Sequence, residues 1–160
     1  MGLWIILIKL FFKNYELLIR GFRDVFGAQD FHNKCDGHNF TLAFIETTDG
    51  RKFGGFTEET WDESVLWKKA PKSLIFSLDN KEIYYLKKGK DSIYCYKYPN
   101  PFFLAFGGGH DFALYNECNK NYYNFDSSGN FYDTIGKKYV LALKASFCVK
   151  DYEVFKLNLI

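Results

Sequence analysis

Short apolar runs, some alternating and some continuous, recur along the whole chain and are broken by glycine, asparagine and aspartate. Residues 16–21 (ELLIRG) predict a short buried strand. Residues 29–35 (QDFHNKC) predict a short helix ending at Asp36-Gly37, where glycine can take the left-handed conformation of a helix end. Residues 41–48 (TLAFIETT) and 51–57 (RKFGGFT) predict a β-hairpin turning at Asp49-Gly50, residues that tolerate the positive φ of a type I′ turn. Residues 42–45 are apolar on both faces, so this strand is expected to be covered on both sides. Gly54-Gly55 in its partner predicts a bulge or a close approach of another backbone. A helix is expected over 57–69, with Thr57 as N-cap and Glu58 and Glu59 at its positive end. Strands follow at 73–78, 83–86, 92–98, 112–115, 139–143 and 147–157. In the last strand Asp151 and Glu153 share a phase with apolar residues. Either a bulge shifts the register near Asp151, which is the favoured option, or Glu153 turns inward to a buried partner.

Many short strands with one or two short helices predict an α+β chain that is mostly β, a sandwich or barrel. At 160 residues there is room for one core, and a domain of this size folds without disulfide or metal support. With 48% hydrophobic residues the chain is too apolar to be disordered, and its 18 Phe and 12 Tyr favour strands. The net charge of +2 gives no general attraction to nucleic acid or anionic lipid. Cys35, Cys95, Cys118 and Cys148 are widely spaced and are read as free thiols in a reducing compartment. Residues 3–12 (LWIILIKLFF) are too short for a membrane helix, which needs about twenty apolar residues. They lack the flanks of a signal peptide, and a buried first element is expected there.

An ordered series of segments then resembles one family. ELLIRGFRD, DFHNKCDG, TLAFIETTDGRKFGGFTEETW, KSLIFSL, SIYC, AFGGGHDFAL and FCVKDYEVFKL are similar to segments of the TLDc domain, in the family's order and in a protist-like version. The resemblance runs from Asn14 to Leu157, so residues 14–160 are expected to be the domain and 1–13 an apolar lead-in to it. It implies two antiparallel sheets packed as a sandwich with a few short flanking helices. It also implies a protein partner, since eukaryotic relatives bind the vacuolar proton-pumping ATPase and support resistance to oxidative stress. No reaction is securely assigned to the family. The implied setting is cytoplasmic, with peripheral attachment to organelle membranes open, and a monomer without cofactor is expected.

A reactive cysteine must be a thiolate; Cys35 lies at a helix C-terminus beside Asp36, and Cys118 follows Glu117, so neither is favoured. His32, Cys35, Asp36 and His38 lie close in sequence, but with no second ligand cluster they read as an ordinary helix end and no metal is expected. Gly107, Gly108 and Gly109 lack the spacing of a dinucleotide fingerprint. Three glycines bring no side chains to pack, which suits a sharp bend or close approach of another chain. Phe106, Gly107, Gly108, Gly109, His110 and Asp111, with Glu153, are therefore the candidate partner-binding residues. The alternative is a small hydrolase or thiol peroxidase built on a His110–Asp111 pair or on Cys35.

Overall fold

A computed structural model describes residues 14–158, and the apolar 3–12 segment lies outside them. The elements are β1 (Tyr15–Arg20), α1 (Gly21–Asp24), α2 (Ala28–Cys35), β2 (Thr41–Thr47), β3 (Lys52–Thr57), β4 (Trp67–Lys68), β5 (Leu74–Ser77), β6 (Glu82–Tyr85), β7 (Ile93–Tyr94), β8 (Phe102–Phe106), β9 (Phe112–Tyr115), β10 (Asn124–Asp126), β11 (Ser146–Phe147) and β12 (Val149–Leu157). They form two six-stranded sheets, ordered β1-β12-β2-β3-β5-β6 and β11-β10-β9-β8-β7-β4. Every strand pair is antiparallel, and the expected two-sheet sandwich is present.

The core lies between the sheets and is largely aromatic. Phe53 meets Phe112 and Phe147 edge-on at 5.5 and 5.4 Å, while Phe106 stacks on Phe112 at 5.0 Å. The first sheet is apolar on its second face too, where Phe44, Phe76 and Phe155 cluster. That explains the unbroken apolar pattern of β2. The hairpin β2–β3 runs in continuous register from Thr41↔Thr57 to Glu46↔Lys52, with no bulge at its glycines. Those glycines instead make room. A Cβ on Gly55 would lie 2.6 Å from the Phe106 ring, and one on Gly54 would lie 1.9 Å from the Ala43 carbonyl oxygen. The turn falls where expected but is not type I′. Gly50 donates to the Thr47 carbonyl, Thr47 donates to that of Arg51, and only Gly50 has a positive φ there. This is the longer form, a type I turn closed by a left-handed glycine.

Two predicted elements do not form. Residues 57–69 are irregular up to β4, because Trp61 is drawn into the core at 1% exposure, where its Nε1 donates to Thr41 Oγ1 at 2.8 Å. Tertiary burial outweighs local helix preference here. Residues 139–143 turn instead of extending. Buried Asp126 accepts from the N–H groups of Leu141 and Ala142 at 3.1 and 2.8 Å, and φ is positive at Tyr139 and Leu143. In β12 the register shifts between Val149 and Asp151, the favoured bulge. Beyond it Tyr152 and Val154 face the core. Asp151 and Glu153, both 1% exposed, share Arg20, whose Nε lies 3.2 and 3.4 Å from their oxygens. The bulge is thus the option realised: it puts Glu153 on the sheet face opposite the core, buried beside Arg20, whose own side chain is 36% exposed.

Candidate functional site

The glycine-rich turn joins β8 to β9 and is held from below. Gly107 N donates to Ser92 O at 2.7 Å, and Asp111 N closes the turn onto Phe106 O at 2.7 Å. Gly107 has φ +84°, and a Cβ there would lie 2.4 Å from Asp111 Oδ1. Only glycine fits that position. Gly109, by contrast, is exposed at the tip.

His110 and Asp111 enter different networks. Asp111 is fully buried, and its carboxylate accepts from the N–H groups of Gly129, Phe131 and Tyr132 at 3.0, 2.9 and 3.1 Å. It therefore shapes the loop after β10. Burial pushes its pKa up to about 6, against the pull of those three donors and the charge of Lys87. His110 turns the other way. Its Nδ1 donates to Gly107 O at 2.9 Å, which leaves Nε2 to accept from Tyr96 OH at 2.6 Å. The ring is thereby fixed as the neutral Nδ1–H tautomer, and burial lowers its pKa further. No His–carboxylate pair forms between the two residues.

Around His110 lies a surface that the sequence patterns did not single out. Trp67, Tyr94, Ala105, Ala113 and Phe125 are successive cross-strand partners along β4, β7, β8, β9 and β10, so they share the face of the second sheet turned away from the core. The methyls of Ala105 and Ala113 leave a shallow space in this row. The imidazole of His110 bridges it, with centroids 5.7, 5.5 and 6.1 Å from the rings of Tyr94, Tyr96 and Phe125. The rings continue outward. Trp67 lies against Tyr94 at 5.8 Å and is 62% exposed at one end. Phe102 meets Tyr115 at 5.1 Å, and Tyr115 meets Tyr123, 67% exposed, at the other. A signal existed in the alternation of Tyr94 and Tyr96 about buried Cys95, and of Phe125 between buried Asn124 and Asp126.

The remaining candidates are placed elsewhere. Glu153 belongs to the first sheet, paired with Arg20, and burial raises its pKa although Arg20 opposes this. All four cysteines are free and buried. Burial lifts the thiol pKa of Cys35 and Cys118 well above the ordinary value and that of Cys95 to about 12. A cleft of about 200 Å³ is lined by residues 127–130, 134 and 136–139, smaller than the roughly 300 Å³ at which ligand pockets begin. No helix among the described residues is long and apolar enough to cross a membrane.

A family model described as the TLDc domain matches residues 6–158. A search of curated proteins finds no match to the chain.

Proposed function

The chain belongs to the TLDc domain family, and from that premise we propose that it is a non-catalytic protein-interaction domain. It recognises its partner through the turn Phe106–Gly107–Gly108–Gly109–His110–Asp111 and the aromatic face beside it. The observation that carries this reading is the continuous row of partly exposed rings centred on His110. Aromatic side chains are rigid, bury much area and keep a polar edge, which is why they anchor interfaces. Within the turn, Gly108, Gly109 and His110 meet the partner, while buried Phe106 and Asp111 hold their backbone in place. Glu153 contributes at a distance by fixing Arg20 together with Asp151.

The partner is a subunit of the vacuolar proton-pumping ATPase, and the cellular outcome is support of oxidative-stress resistance. The domain acts as a cytoplasmic monomer that meets organelle membranes only through the pump. Support for this finer statement comes from family resemblance. The side chains of the alternative enzyme reading, His110, Asp111 and Cys35, are each engaged or buried in structural roles.

The test is capture of the detergent-solubilised pump by the immobilised domain, comparing wild type with the paired change Tyr96→Ala and His110→Ala. Binding should fall at least tenfold while the melting temperature moves by only a few degrees. Unchanged capture by a folded double variant would remove this face from the interface. No capture by wild type would remove the pump as partner.

A further inference from the structure

His32, near the end of α2, is 4% exposed in its side chain, yet its Nδ1 points at two carboxylates. Asp36 Oδ2 lies 3.0 Å from Nδ1, and Glu63 Oε1 lies 3.9 Å from it. The three ligand atoms all fall within 4.8 Å of one another. Asp36 comes from the residue that closes the helix, four positions on from His32. Glu63 comes from the irregular segment that replaces the expected helix at 57–69. It is the second contributor that the sequence around Cys35 could not supply.

The convergence is held by backbone and core, not by the three side chains themselves. Gly37 N donates to Trp61 O at 2.8 Å and Trp61 N to His38 O at 3.1 Å, clipping the helix end to the segment two residues before Glu63. The buried indole of Trp61 pins that segment to Thr41. Lys68 braces its other side through Thr60 O and Asp62.

We propose that His32, Asp36 and Glu63 form a binding site for one divalent first-row transition-metal ion such as Zn²⁺ or Mn²⁺. An ion about 2.1 Å from each ligand sets neighbouring ligand atoms roughly 3.0–3.4 Å apart; the 3.0 Å between Nδ1 and Asp36 already fits, and Glu63, 3.9 Å from Nδ1, moves inward to complete the set. Charge points the same way. Among the described residues, His32 is the only cationic-type partner recorded for either carboxylate, and the nearby ammonium of Lys68 is taken by Asp62. An ion pair needs one carboxylate; a second one beside it adds repulsion that a divalent ion removes. Partial exposure of Asp36 at 25% and Glu63 at 34% leaves the outer coordination positions to water. One imidazole with two carboxylates suits zinc or manganese better than the thiol-rich sites of soft ions. When Nδ1 binds the ion, the ring proton resides on Nε2, which is buried and has no hydrogen-bond partner. That missing outer partner weakens affinity by about 10–100-fold relative to a fully supported histidine ligand, so a reversible, exchangeable site is expected.

The full chain, stripped with chelator, is titrated with ZnCl₂ and separately with MnCl₂ in a calorimeter. One ion per chain is expected, with a metal-dependent rise in melting temperature. Glu63→Gln and Asp36→Asn, both at partly exposed positions, should each weaken binding at least tenfold and abolish the thermal shift while folding like wild type without metal. Cobalt(II) added to wild type should give a visible d–d band that is lost in Glu63→Gln. Absence of uptake by the wild-type chain, or binding by both variants equal to wild type, overturns the proposal.

Discussion

Two adjacent polar residues in the glycine-rich turn do opposite jobs. Asp111 satisfies three backbone donors in the interior, so Asp111→Ala leaves those N–H groups unpaired at about 1–3 kcal/mol each. Urea denaturation should show that variant strongly destabilised, with the loss centred on the loop at 128–132, whereas His110→Ala should remain close to wild type in stability. Comparable losses in both would remove the distinction. His110 carries its own pH signature. Burial lowers its pKa below the ordinary value of about 6.5. The unfolded chain therefore takes up the proton first as pH falls, so the stability this residue contributes is present above pH 6.5 and is lost as pH drops through the lower folded value. Protonation also ends acceptance from Tyr96 OH. A histidine C2–H titration by NMR should place His110 below 6.5, and a midpoint at or above that value would contradict the burial argument.

At the scale of elements, strands written as an apolar run bounded by turn residues were legible, β1, β5, β9 and β12 among them, and so was the hairpin β2–β3. What failed were segments governed by distant groups. Trp61 unravels the expected helix because the core accepts its ring and Thr41 accepts its N–H. Asp126 bends 139–143 because its buried carboxylate collects their amides. Strand β8 (FFLAF) went unpredicted although a continuous apolar run is what a strand covered on both faces looks like, and β10 is too short to announce itself. The glycine turn was legible as a bend. The aromatic face was not, because its members come from five strands and only register unites them. Gly54 and Gly55 test the packing logic directly. Gly55→Ala must displace a buried phenyl ring, and Gly54→Ala must push against the Ala43 carbonyl. Both should lower the unfolding free energy read from urea denaturation, by about 1–3 kcal/mol for overpacking, with Gly54→Ala the more severe because backbone yields less readily than a side chain. A neutral Gly54→Ala would show that the hairpin is looser than its register implies.

For the whole molecule, the two sheets bury thiols and functional-looking acids in their interior or hold them at their seams, and turn aromatic rings outward at one face. The proposed support of oxidative-stress resistance invites the idea that the domain itself destroys peroxide, and the packing argues against it. Peroxide is reduced by a thiolate that must be ionised and reachable. Here Cys35 and Cys118 are fully buried, Cys95 is 1% exposed and Cys148 7%. Burial also holds the Cys95 thiol near pKa 12, far from ionisation at neutral pH. Reaction would require the sandwich to open, so the oxidation rate should scale with the population of the opened chain. The purified domain, mixed with a few equivalents of hydrogen peroxide at pH 7, should retain four titratable thiols over the time in which free cysteine is consumed. Adding urea through the unfolding midpoint should then expose all four together. Fast loss of one thiol from the folded domain, abolished by a single Cys→Ser change, would mean that the fold opens locally at that residue and that chemistry, not recognition alone, belongs to this protein.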